Sequence, residues 1–226
     1  TTEKGTCKIK RGTSIRKPGG FILSCVNCVD VGVFQQAKHG NSCNGDSYFY
    51  VEMDGKFICA IADGLGSGEL ARESSKLAID SIREAIEISY DIDYLLQQCN
   101  KKLMKKRGVV IGILMIDLYN FSYDLSSIGN VRIITISPDG EQKKHIPTYG
   151  YLPDIAKTYR VSNGVWVPGQ LFMMFSDGID EKTILSNTIM THDIKTLMNE
   201  YKNVHEKWNR DDSTLIAIKC NNGLPN

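Results

Sequence analysis

GDSYFYVEMDGKFICAIADGLGSG, residues Gly45–Gly68, is the stretch that decides the fold. Asp54-Gly55 sits between two runs of strand-forming residues, Tyr48 and Tyr50 before it and Phe57, Ile58, Ala60 and Ile61 after it. A type I′ turn needs positive φ at both central positions, and Asp-Gly meets that need, so the stretch predicts a β-hairpin with a two-residue loop. Met53 then faces Lys56, and counting outward along the ladder sets Asp46 opposite Asp63. Directly opposed Cβ atoms stand about 5 Å apart. Two ionised carboxylates at that spacing repel unless one takes up a proton or a cation lies between them.

Gly64-Leu65-Gly66-Ser67-Gly68 comes next. Such a run lets the backbone approach a ligand closely and then opens a helix. Oxygen donors with no thiolate or imidazole beside them favour a hard ion, Mg²⁺ or Mn²⁺. Taken alone, the pairing is equally compatible with a surface hairpin that carries an acidic rim.

The bulk properties narrow the field. At 226 residues, with 42% hydrophobic and 23% charged residues, the chain suits one soluble domain. Lys+Arg 27 against Asp+Glu 26 gives a net charge of +1, which argues against nucleic acid or an anionic membrane as partner. No apolar run reaches the length of a membrane span, and the first residues lack the apolar centre of a secretion signal. Seven cysteines at irregular spacing point to free thiols in a reducing compartment, so a cytoplasmic protein is expected.

Residues 1–30 are set apart as an N-terminal segment, strand-forming or partly mobile, 31–220 as the folded domain and 221–226 as a tail. Lys8, Lys10, Arg11, Arg16 and Lys17 make the N-terminal segment basic. Phe21 to Phe34 alternates as one or two strands. Cys25 and Cys28 form a CxxC, with His39 and Cys43 downstream, but strand-like surroundings favour buried thiols over a zinc site. Glu69–Ser89 predicts a helix, with Leu70, Ala71, Ser74, Leu77, Ala78, Ile82, Ala85 and Ile86 on one face. Asp91 caps a second helix running to about Arg107. Val109–Asp117, Phe121–Ser127 and Val131–Ser137 read as a meander, its first strand apolar on consecutive residues and so buried on both faces. Tyr159–Val167 reads as an irregular strand pair, Leu171–Ser176 as a buried strand, Asp193–Lys202 as a helix and Ser213–Lys219 as the last strand. The whole is one α+β domain.

Asp177 closes one apolar strand, and Asp211 and Asp212 open another. With Asp46 and Asp63, aspartates stand at strand ends four times. Each alone is a turn or cap; a hard-metal site assembled from several strand ends would produce the same set. Competing chemistries are absent: there is no CxxxxxR, no GxSxG and no GxxxxGK[ST]. The four histidines, His39, His145, His192 and His205, fall in no metal motif.

GDSYF, ADGLGSGELARESS, SIGNVRII, SPDGE, GYL, FSDGID and DDSTLIAIK, in that order, resemble the metal-dependent PPM-type serine/threonine phosphatases, in their bacterial SpoIIE/RsbU/RsbX branch. DGLGSG-x-LA-x-ESS and KKRG look most like the stressosome-type members. The resemblance runs over about residues 33–220. It implies a PPM-type phosphatase fold, a four-layer α-β-β-α sandwich of two antiparallel sheets flanked by helices, with a two-metal site at one end. It implies two divalent ions, Mn²⁺ or Mg²⁺, and catalytic roles for Asp46, Asp63, Asp177 and Asp211. Asp63 would bridge the ions, the Gly64 carbonyl would bind one with help from Asp46, and Asp177 and Asp211 would serve the other; Asp212 ranks below Asp211. Ions about 4 Å apart activate a water for in-line attack on phosphorus without a covalent intermediate. The implied substrate is a phosphorylated STAS-domain regulator in sigma-factor stress signalling, with a binding module of the same fold, or a phosphatase of an anti-sigma antagonist in another sigma-factor pathway, as alternatives. Two departures stand out. Leu65 and Ser67 occupy positions where many members carry histidine, and the arginine that the eukaryotic branch carries a few residues before Asp46 has no counterpart among Lys38, His39 and Asn41.

Overall fold

The computed structural model describes residues 21–26, 28–153, 158–190, 193–205 and 210–221. The basic residues 1–20, the Cys25 side chain, His192 and residues 222–226 lie outside them. The strands are β1 (Phe21–Val26), β2 (Val29–Gln36), β3 (Asp46–Met53), β4 (Lys56–Gly64), β5 (Val109–Asp117), β6 (Ser122–Ile128), β7 (Arg132–Ile136), β8 (Gln142–Lys144), β9 (Ser162–Val165), β10 (Leu171–Phe175) and β11 (Ser213–Cys220). The helices are α1 (Glu69–Ala85), α2 (Ile92–Leu103), α3 (Glu181–Met190) and α4 (Ile194–His205).

Two antiparallel sheets stack face to face. One runs β1-β2-β11-β10-β7-β8, the other β3-β4-β5-β6-β9. Strand alternation explains the four layers. Along β4, Phe57, Cys59 and Ile61 enter the core between the sheets, while Ile58, Ala60 and Ala62 pack beneath α1 and α2. Along β10, Phe172 and Met174 face the same central core, while Leu171, Met173 and Phe175 pack beneath α3 and α4 with Leu197, Met198 and Tyr201. A strand buried on both faces must be apolar at every position, which is why β5 reads as an unbroken apolar run. Each such side chain contributes about 1.5–3 kcal/mol by leaving water.

The hairpin forms as the sequence predicts. Asp54 and Gly55 have φ of 51° and 69°, Met53 pairs with Lys56, and Asp46 pairs with Asp63. Asp91 caps α2, its side chain accepting a bond from the Tyr94 N–H at 3.1 Å. Five cysteines, Cys28, Cys43, Cys59, Cys99 and Cys220, are buried free thiols. Among the described residues no helix is long and apolar enough to cross a membrane.

Four expectations need correction. The third strand of the meander, β7, leaves β6 at Gly129-Asn130 and joins the other sheet between β10 and β8. Ile133 of β7 faces the central core and Ile134 and Ile136 face the layer of α3 and α4, so β7 needs cover on both sides; the open edge of β6 goes instead to the short strand β9. The predicted strand pair at Tyr159–Val167 is this single strand. Helix α3 follows Asp180, whose carbonyl accepts from the Ile184 N–H at 3.2 Å; its sequence lacks the regular apolar spacing that betrays a helix. Helices α1 and α2 stop at Ala85 and Leu103, short of Ser89 and Arg107, and Leu70 is exposed rather than on the packed face.

The turn supplies a test of the hairpin. A Cβ on Gly55 would lie 1.9 Å from Cε2 of Tyr119, at a φ that L-residues rarely adopt. Gly55→Ala is expected to lower stability by about 1–3 kcal/mol in urea titration; unchanged stability would contradict the tight turn.

Candidate metal centre

The ladder carries Asp46 and Asp63 to one end of the sandwich. Asp46 opens β3 and Asp63 lies one residue from the end of β4. In the other sheet Phe175 pairs with Leu215, so Asp177, just beyond β10, comes beside Asp211 and Asp212, just before β11. Polar bonds tie the two sheets together here. The Ser176 hydroxyl donates to Asp46 Oδ2 at 2.7 Å and accepts from the Thr214 N–H at 2.9 Å. Gln35 Nε2, near the end of β2, donates to the Asp46 carbonyl at 3.3 Å and to Thr214 Oγ1 at 3.2 Å.

The electrostatics are those of a carboxylate cluster short of positive charge. Burial pushes the Asp63 carboxyl up to about 9, with the charges of Asp46, Asp177 and Asp211 and a hydrogen bond to Asp46 acting in the same direction. Burial also raises Asp46, to about 6, against the bonds from Ser176 and Thr214; Asp212 and Asp177 add to the rise. Asp177 is raised by burial and by Asp211, with the Asn130 amide, 2.6 Å from Asp177 Oδ2, pulling the other way. At neutral pH this cluster retains a proton.

The donor set fits a hard divalent ion. Asp46 Oδ1 is buried with no hydrogen-bond partner, a condition that a bound ion would relieve. Gly64 permits a close approach that no side chain would allow: a Cβ there would stand 2.0 Å from the Ala71 carbonyl oxygen of α1. The resulting contact seats the glycine-rich loop on the start of α1. Among the described residues no group of three or more His, Cys, Asp and Glu side chains stands ready around one point. Asp177 is engaged with Asn130, and Asp211 Oδ1 lies 3.7 Å from Lys38 Nζ.

Asp46, Asp63, Gly64, Asp177, Asp211 and Asp212 thus meet at one end of the fold. Their surroundings differ. Asp212 is buried and its Oδ1 accepts from the Lys38 backbone N–H at 2.9 Å, so it fastens the loop after β2. Sequence reasoning missed Ser176, Gln35, Thr214 and Asn130, whose contacts join residues up to 179 positions apart. It named Lys38 before Asp46 without giving it a partner, and the structure sets the Lys38 ammonium 3.7 Å from Asp211 Oδ1. A motif reading carries no signal for such long-range partners.

The raised carboxyls fix the sign of a pH test. The metal-free folded protein holds protons that the unfolded chain releases near pH 4, so the stability these two groups contribute is fully present below that pH and is lost as pH rises through the folded values, about 6 for Asp46 and about 9 for Asp63. In chelator, Tm should fall as pH is raised from about 5 to 9, and Asp63→Asn should flatten the fall by removing the charge that burial disfavours. A Tm that rises across this range would contradict the cluster's charge state.

Comparison with known proteins gives the family of the chain and its fold. A family model described as Stage II sporulation protein E (SpoIIE) matches residues 53–221. Phosphoserine phosphatase RsbX of Bacillus subtilis (strain 168) is 34% identical over 186 residues, covering 81% of this chain and 91% of that protein. Stage II sporulation protein E of Priestia megaterium is 25% identical over 185 residues, 76% of this chain and 31% of that longer protein. The crystal structure of RsbX in complex with magnesium superposes with a TM-score of 0.82 at 30% identity, covering 89% of this chain and all of that one. A family match over most of the chain, with a shared fold, means that the chain belongs to the SpoIIE family of PPM-type phosphatases.

Proposed function

We propose that this chain is a metal-dependent protein serine/threonine phosphatase, with residues 31–220 as its catalytic domain. Two divalent ions, Mg²⁺ or Mn²⁺, are held by Asp46, Asp63, Asp177, Asp211 and the Gly64 carbonyl, with Asp212 supporting. The observation that carries this reading is the Asp46–Asp63 pair, Asp46 buried and Asp63 half-buried, in which Asp46 Oδ1 has no hydrogen-bond partner and the Asp63 carboxyl is driven toward protonation. A retained proton relieves the repulsion in the metal-free protein, and a divalent cation would take that proton's place and give the unpartnered oxygen a ligand. Family membership gives the class of reaction, and the relative named for phosphoserine gives the class of substrate.

When bound, the ions supply an acidified water and neutralise the charge on a phosphoryl group. The chain's own residues hold and orient. From the opposite sheet Ser176 holds Oδ2 of the Asp46 carboxylate and Gln35 holds the Asp46 backbone carbonyl, which orients the side chain at the strand end. Asp212 holds the backbone of Lys38, and the Lys38 ammonium adds positive charge where a phosphate would arrive. Neither Leu65 nor Ser67 can act as a strong acid, so the glycine-rich loop contributes backbone rather than a proton donor. The substrate is a phosphorylated STAS-domain regulator of stressosome type, met in the cytoplasm; the buried free thiols favour that reducing compartment.

Release of phosphate from phosphoserine STAS-domain proteins, with Mn²⁺, with Mg²⁺ and in chelator, tests the reading. Metal-dependent turnover of at least one is expected, and turnover in chelator would refute it. Asp63→Asn should retain the fold while losing activity by more than the ~10–100-fold typical of removing a group that supports a ligand. Ser176→Ala is expected to fall within that ~10–100-fold range, with weaker metal binding by calorimetry; wild-type metal affinity in that variant would show that the tie between the sheets does not orient Asp46.

A further inference from the structure

A cleft of about 290 Å³ lies between strands β7 and β8 and the start of α3, lined by Asn130, Arg132, Lys144, His145, Pro147 and Glu181 among others. It adjoins the acidic cluster, because Asn130 in its wall donates to Asp177. Its charges do not balance. Arg132 Nη1 lies 2.9 Å from Glu181 Oε2, and Lys144 Nζ pairs with the other oxygen, Oε1, of the same carboxylate. One anion therefore serves two cations. His145 adds no charge, since burial first and Lys143 second hold its imidazole well below its usual range, at about 4. The net charge of the lining side chains is positive.

The geometry of exposure adds a direction. The Glu181 side chain is 18% exposed, whereas those of Arg132 and Lys144 are 58% and 61% exposed. The carboxylate sits inside and the two cations keep free donors toward solvent. Arginine presents five N–H groups in a planar fork and lysine three, so one carboxylate leaves several unfilled. A second carboxylate arriving from outside would find both cations prepositioned by Glu181, in a cleft whose wall residue Asn130 bonds Asp177.

We propose that this cleft is the subsite for an acidic side chain next to the phosphoserine of the protein substrate, recognised by Arg132 and Lys144, which Glu181 holds in place. The proposal rests on the phosphatase reading above and adds to it a sequence preference. Glu181 acts as an internal competitor: it orders the two cations and weakens the substrate's hold on them. Arg132 and Lys144 reach the arriving peptide from outside the acidic cluster and ligate no ion.

Phosphoserine peptides carrying Glu or Lys at each neighbouring position, together with p-nitrophenyl phosphate, which has no neighbouring residue, test this. For the wild-type protein, kcat/KM should favour Glu over Lys at one position by about fivefold or more, the size of effect a partly exposed ion pair gives. The Glu/Lys ratio should collapse toward unity in Arg132→Met/Lys144→Met. In Glu181→Gln it should be kept or increased, because the competitor is neutral. Thermal unfolding checks that each variant is folded. Hydrolysis of p-nitrophenyl phosphate by the wild type, combined with no acidic preference or with a preference that survives in the double variant, would overturn the subsite while leaving the phosphatase reading intact. Absence of hydrolysis of any of these substrates in metal would overturn both.

Discussion

Two carboxylates facing each other across a β-ladder are the constraint on which the structure turns. Asp46 and Asp63 are paired by register, so the backbone itself holds them together. No rotation of one strand can separate them without breaking the hairpin. The cost of that juxtaposition falls on the protonation state, with both carboxyls raised and one oxygen left without a partner. A fold that concentrates negative charge in this way is organised to receive positive charge.

The rest of the sandwich keeps that end rigid. β4 and β5 are buried on both faces, so they cannot shift to relieve the repulsion without opening two cores. Ser176 and Gln35 reach across from the other sheet and lock Asp46, while Gly64 lets α1 begin in contact with the loop. Positive charge lies near the acidic end in two places, Lys38 next to Asp211 and Arg132 with Lys144 around Glu181. Positive groups flanking an acidic centre suit an anionic substrate that carries its own local sequence.

Much of this was legible in the residues because the informative contacts are local. Asp54-Gly55 set the turn, the turn set the register, and the register set Asp46 against Asp63. Consecutive apolar residues in Val109–Ile116 announced a strand covered on both sides. The parts that stayed hidden depend on distant partners. Nothing near Val131 says that β7 crosses to the other sheet, since its apolar residues would suit either. Helix α3 carries Ile184 and Leu185 without a regular stripe, and its place is set by packing beneath the sheet rather than by its own pattern. Ser176, Gln35, Asn130 and Lys38 look like ordinary polar residues until the strand ends converge.

Isothermal titration of Mg²⁺ or Mn²⁺ in buffers of different ionisation enthalpy tests the central claim most directly, because it counts the protons that the ion displaces. With Asp63 raised to about 9 and Asp46 to about 6, binding near pH 7.5 should expel about one proton, and none in Asp63→Asn. Binding with no proton release, or no binding at millimolar ion, would contradict a carboxylate pair that waits for a cation.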